Sequence, residues 1–324
     1  MKSKLKHWIL WGILGGILLI VGLGAMGYFV LSSTPNFSEL LTSTTIEVRR
    51  HDGKMTQRQI GPRAPGWVPL SGISKYFLAA VISSEDTTFL SHEGVDLHEL
   101  KEAVKKDIKE KRFARGASTI TQQVVKNVFL HNEKTLWRKF REVLWAWEME
   151  KALTKEQILQ FYANMVELGP GVYGVNQASS YYFDCPPNDL TPREAAFLAM
   201  LLPSPRKYHN ANFPKRTLTD WASKRVDRIL ELMHRFDYIG DVELRQGREQ
   251  VLWQNEATPS DEIMPYESRE LEEALSPDSK KNEVETQTTE SMEINVPEPN
   301  VVAPDEESRV EDHSKTAPRP ALPE

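Results

Sequence analysis

This chain is short of cysteine. Cys185 is the only one in 324 residues, so no intramolecular disulfide can form and any folded domain must rest on its hydrophobic core. It sits before Pro186-Pro187 with no paired histidine motif, which argues against thiol catalysis. Charge is missing from Trp8 to Leu31. At about 1.5 Å per residue that helix would cross a hydrocarbon layer of about 30 Å. A cleaved signal peptide has an apolar region of roughly 7–15 residues, shorter than this run, so an uncleaved membrane anchor is the better reading. Regular strand alternation and internal repeats are also missing, which points to a mainly α domain.

Lys2, Lys4 and Lys6 precede the apolar run, so residues 1–7 are expected in the cytoplasm and everything after Leu31 on the far side. Trp8, Trp11 and Tyr28 lie near its ends, where aromatic side chains favour the interface. The expected organisation is an anchor over 8–31, a stalk over 32–66, a globular domain over 67–255 and a tail over 256–324. The stalk has room for a hairpin, with strands at 44–50 and 56–60 around Asp52-Gly53. The net charge of −6 is unevenly spread. The tail holds 19 acidic and 6 basic residues, a net of −13, which leaves +7 for the rest. With nine prolines and few aromatics, the tail is expected to be disordered. A mildly basic exported domain beside a membrane suits anionic lipid or phosphate. A nucleic-acid partner is not expected there.

Within the domain, helices are expected over 73–83, 97–111, 119–130, 135–152, 192–202 and 218–236. Two carry capping-box signatures at their start, Thr119 with Gln122 and, before a further helix, Thr154 with Gln157. Gly169, Pro170, Gly171 and Gly174 mark a loop.

Three polar blocks stand between the apolar stretches. Glu85 and Asp86 follow the apolar run 77–82, where packing can raise a carboxyl pKa enough for proton acceptance near neutrality. A helix-end carboxylate is the plainer reading. His92 is more readily a structural hydrogen-bonder than a base. Ser118, Gln122 and Lys126 lie at and after a helix N-terminus, an arrangement that suits phosphate but also describes an ordinary capped helix. On the helix after Lys134, helical spacing places Lys134, Arg138, Arg141, Glu142 and Trp145 on one stripe, opposite Leu136, Phe140, Val143, Leu144 and Trp147. That stripe is a binding face, or a solvated face with an Arg138–Glu142 pair.

Taken in order, these blocks resemble the motifs of glycosyltransferase family 51, the peptidoglycan transglycosylases. The first is Glu85-Asp86-x-x-Phe89-x-x-His92-x-Gly94. The second is Arg115-Gly116-x-Ser118-Thr119-Ile120-Thr121-Gln122-Gln123-x-x-Lys126-Asn127, and the third Arg138-Lys139-x-x-Glu142. Ile158-Leu159-x-x-Tyr162-x-Asn164 and Gly171-x-Tyr173-Gly174-Val175 resemble the fourth and fifth. The resemblance covers roughly residues 67–234.

The resemblance implies a mainly α, lysozyme-like, two-lobed domain behind a transmembrane anchor. It implies polymerisation of lipid II onto a growing glycan strand with inversion, releasing undecaprenyl pyrophosphate. Glu85 would be the general base and Glu142 the second catalytic glutamate. Ser118, Gln122, Gln123, Lys126, Asn127, Lys134, Arg138 and Lys139 would bind substrate. A divalent metal (Mg or Mn) at Glu142 is left open. The basic segment 97–113 would correspond to the family's membrane-contacting lobe. Lys134 stands where arginine is usual, keeping charge but losing bidentate geometry. The transpeptidase domain of the bifunctional relatives is missing: Ser204-x-x-Lys207 is not followed by Lys-Thr-Gly. Two alternatives stand beside this reading: a muramidase-like enzyme, which needs no pyrophosphate-binding cations, and a non-catalytic scaffold recruiting other cell-wall synthesis proteins through its tail.

Overall fold

The computed structural model describes residues 2–50, 52–101, 118–130 and 135–253. The expectations at Arg115, Gly116 and Lys134, most of the segment 97–113 and the tail over 256–324 lie outside the described residues. Helix α1 (Lys2–Ser32) is long and apolar enough to cross a membrane by length and composition, a test that a signal sequence also passes. Trp11, Ile17 and Ile20 along it are more than half exposed. Its last turn is different. Val30 is fully buried, its carbonyl accepts the Trp145 indole N–H at 3.2 Å, and Phe29 stacks on Trp137 at 6.5 Å.

Segment 32–66, expected as a stalk, is packed onto the domain. A 3₁₀ turn at Phe37–Leu41 buries Phe37 and Leu40, and Phe37 meets Phe129 edge-on at 5.3 Å. Strands β1 (Thr44–Arg49) and β2 (Met55–Ile60) form the expected antiparallel hairpin, paired from Thr44↔Ile60 to Arg49↔Met55. Alternation along β1 turns Ile46 and Val48 to one face, and that face joins the core with Ile60. In sequence the apolar residues of this segment are few and widely spaced, and only the pleat gathers them on one side. The Arg206 guanidinium donates to the Arg49 and Arg50 carbonyls at 2.8 and 3.1 Å and holds the turn end of the hairpin in place.

The rest is helical, as the lack of strand alternation predicts. Helix α2 (Lys75–Glu85) is capped by Ser74 and buries Phe77 to Ser83 without a break. A helix buried all round belongs at the centre of a domain. It is followed by α3 (Ile120–Phe129), α4 (Leu136–Ala152) and α5 (Lys155–Met165). The short strands β3 (Glu167–Gly169) and β4 (Val172–Tyr173) come next, then α6 (Val175–Phe183). Helices α7 (Pro192–Leu201), α8 (Pro205–Asn212), α9 (Asp220–Arg235) and α10 (Asp241–Glu249) close the order. Helix α2 packs against α7 and α9, and α3 packs against α4 and α5. Both capping boxes read from the sequence are formed, at Thr119/Gln122 and Thr154/Gln157. Burying Phe77 or Ile82 contributes about 1.5–3 kcal/mol each.

The loop 86–94 joins three of these helices. Thr119, the N-cap of α3, donates its hydroxyl to the Gly94 carbonyl at 2.6 Å. Gly94 adopts φ +79°, and a Cβ there would lie 2.7 Å from the Ala146 carbonyl oxygen of α4. Only glycine lets the loop lie this close to α4 in that conformation. Gly94→Ala is expected to cost on the order of 2 kcal/mol of stability. Chemical denaturation of the variant checks this, and an unchanged midpoint would mean that the loop does not depend on the contact.

Candidate active site

Helix α2 ends on Glu85, and its C-cap is Asp86. These neighbouring carboxylates do different work. Asp86 is 6% exposed; its Oδ2 accepts the Ile120 backbone N–H of α3 at 2.9 Å, and its two oxygens lie 3.0 and 3.1 Å from His92 Nε2. A carboxylate at a helix N-terminus is favoured by the helix dipole. Asp86 therefore fixes α3 against the end of α2, with His92 as its hydrogen-bonding partner.

Glu85 faces the other way. Its Oε2 accepts the Gln123 side-chain N–H at 3.0 Å, and the Gln123 Oε1 accepts the Tyr162 hydroxyl of α5 at 3.3 Å. Burial pushes the Glu85 carboxyl above its ordinary range. The hydrogen bond from Gln123 and the charges of Arg225 and Lys126 oppose that push, and Asp86 adds to it. The result is a carboxylate poorly solvated in its ionised form, the condition under which it gains affinity for a proton.

The cations gather around Glu142, which is 2% exposed on α4. Lys139 Nζ lies 2.5 Å from Glu142 Oε1 and donates to Ser118 Oγ at 2.8 Å, so it bridges α4 and the start of α3. Arg138 lies 3.7 Å from Glu142 Oε2. Burial pulls the Lys126 ammonium below its ordinary range; Glu142 and Glu85 oppose that pull, and Arg138 and Lys139 reinforce it. Lys126 thus lies within the fields of both glutamates. Three cations against one fully paired carboxylate leave an excess of positive charge suited to an anion.

The structure shows which way the polar side chains turn. The polar stripe of α4 is not a solvated face: Glu142, Trp145, Ala146 and Met149 are its buried side, and Arg141 lies over the Trp145 ring at 4.2 Å. Phe140, Val143, Leu144 and Trp147 are only partly buried. Glu142 pairs with two of the site cations. Gln122, expected to bind substrate, turns into the helix cap. It is 1% exposed, and its Oε1 accepts the Thr119 N–H in the cap. Gln123 turns toward Glu85 and Asn127 is exposed on the surface.

Among the described residues no group of three or more His, Cys, Asp or Glu side chains gathers as a metal would need. Both Glu142 oxygens face cations. Those surroundings do not fit a resident divalent ion. Two participants carried no sequence signal of their role. Tyr162 lies in a recognised motif but reveals its contact with Gln123 only in three dimensions, and Arg225 acts on Glu85 from α9, 140 positions along the chain.

The Transglycosylase family matches residues 52–234 of this chain. A biosynthetic peptidoglycan transglycosylase of Nitrosomonas eutropha is 42% identical over 142 residues, 44% of this chain and 58% of that protein. The protein of that name from Nitrosomonas europaea is 40% identical over 185 residues, 56% of this chain and 74% of that one. The one from Chromobacterium violaceum is 35% identical over 192 residues, 59% of this chain and 82% of that one. The chain belongs to the transglycosylase family. Penicillin-Binding Protein 1A from Haemophilus influenzae, a solved structure, is 18% identical with a TM-score of 0.33, covering 65% of this chain and 21% of that chain; so distant a likeness carries no argument.

The raised proton affinity of Glu85 has a consequence for stability. Ionising a carboxyl whose folded pKa is raised costs stability; the cost is absent below the ordinary value of 4.5 and grows until pH has passed the folded value. Glu85→Gln is therefore expected to melt above wild type at pH 8, and the gap is expected to close as pH falls toward 4. Thermal unfolding over that range checks it, and a variant less stable at pH 8 would contradict the assignment.

Proposed function

We propose that this chain is a membrane-anchored peptidoglycan glycosyltransferase that polymerises lipid II, with its catalytic domain on the outer face of the cytoplasmic membrane. The observation that carries the reading is the placement of one desolvated carboxylate, Glu85, beside a cation set that includes Lys126, Arg138 and Lys139. A glycosyl transfer that releases pyrophosphate needs both halves, a base for the attacking hydroxyl and positive charge for the leaving group.

In this reading the acceptor sugar places its GlcNAc 4-hydroxyl on Glu85. The proton passes to the carboxylate as the oxygen attacks C1 of the donor MurNAc. The C1–O bond to pyrophosphate breaks with inversion, and undecaprenyl pyrophosphate leaves with the electron pair. Lys126, Arg138 and Lys139 balance the charge that develops there, and Glu142 holds Arg138 and Lys139 in place. A muramidase would have no use for that cation set. Helix α1 supports anchoring beside a lipid substrate, and its docking onto α4 through Val30 and Trp145 supports a fixed height of the site above the bilayer.

The test is polymerisation of labelled lipid II by the purified full chain. Wild type is expected to make polymer, and Glu85→Gln to lose at least about 100-fold in rate while remaining folded and binding lipid II. A variant that keeps its rate would remove Glu85 as the base.

A further inference from the structure

Glu85 is held by a neutral relay that begins in the core. Tyr162 is 1% exposed on α5, a helix tied down at both ends. Thr154 and Gln157 close its capping box, and Asn164 exchanges hydrogen bonds of 2.8 and 2.9 Å with the Val68 backbone. The Tyr162 hydroxyl is therefore fixed in space. It lies 3.3 Å from Gln123 Oε1, and the other end of that amide lies 3.0 Å from Glu85 Oε2.

A glutamine amide has two orientations, one with its NH₂ toward a neighbour and one with its oxygen. Against an ionised carboxylate only the first makes a hydrogen bond; the second sets two acceptors face to face. The structure assigns to Tyr162 the task of a positioning residue, whose hydroxyl locks the Gln123 amide with its NH₂ on Glu85 Oε2 and so reserves Oε1 for the proton of the acceptor hydroxyl. Among the described residues no hydrogen bond reaches Oε1 of Glu85. The relay thus both selects the reacting oxygen and keeps it from rotating away.

This inference rests on the glycosyltransferase reading for its effect on rate, but not for its effect on Glu85 itself. The groups whose charge or hydrogen bonds act on Glu85 are Asp86 beside it, Gln123 and Lys126 from α3 and Arg225 from α9. Of these, the Gln123 hydrogen bond favours the ionised form. Losing the lock weakens that bond, so Glu85 holds its proton to higher pH.

The experiment follows the carbon-13 signal of the Glu85 carboxyl against pH in the detergent-solubilised full chain, for wild type, Tyr162→Phe and Gln123→Ala. Both variants are expected to titrate at higher pH than wild type. A wild-type midpoint in Tyr162→Phe would overturn the lock. In lipid II polymerisation, Tyr162→Phe is expected to lower kcat about tenfold, the scale of one neutral hydrogen bond, with KM within about twofold of wild type. The acid limb of its rate profile should move to higher pH, and the double variant should lose no more than Gln123→Ala alone. Additive losses, or an unmoved acid limb, would overturn the proposal. A wild type that polymerises nothing would instead count against the functional reading, and the carboxyl titration would still decide the lock.

Discussion

The hydrogen bond from the Ile120 backbone N–H to Asp86 Oδ2 is the contact on which the site depends. It joins the C-terminus of the buried helix α2 to the N-terminus of α3. Everything that α3 brings follows from that joint: Gln123 on Glu85, Lys126 within the fields of both glutamates, and Ser118 within reach of Lys139. A carboxylate at a helix N-terminus gains from the helix dipole, and here it also meets a histidine in a nearly dry setting. The same turn of chain then places a second carboxylate in the opposite circumstances. Glu85 closes α2, at the negative end of that helix, with burial raising its proton affinity. Two adjacent acids thus meet different surroundings: Asp86 holds α3 to α2, and Glu85 gains affinity for a proton.

The loop 86–94 extends this joint to α4. Thr119 bonds back to Gly94, and Gly94 lies against the backbone of Ala146. Helix α4 carries Arg138, Lys139 and Glu142 and is also the helix that α1 docks against, through Val30 and Phe29. Glu85, the cations and the end of the apolar N-terminal helix are consequently parts of one connected framework. The hairpin β1–β2 and the 3₁₀ turn before it complete that framework rather than forming a loose tether.

Much of this was legible in the sequence because it is local. The capping boxes at Thr119 and Thr154, the hairpin turn at Asp52-Gly53 and the helical stretches depend on residues a few positions apart, where propensity and side-chain geometry are decisive. The roles proposed for Glu85, Lys126 and Arg138 rest on a resemblance rather than on spacing. What could not be read was which way polar side chains turn. Gln122 and Gln123 are adjacent and identical, yet one closes a cap and the other holds Glu85, because successive helical positions differ by about 100°. The inward turn of the α4 stripe, the contact of Tyr162 and the field of Arg225 all come from elements far apart in sequence, which meet only after packing.

The most direct test of this account is chemical denaturation of Asp86→Ala at neutral pH. Removing that carboxylate leaves the Ile120 N–H and His92 without their partner in a buried place. The account predicts a loss of roughly 2–4 kcal/mol. A midpoint equal to that of wild type would contradict the claim that this joint holds the site together.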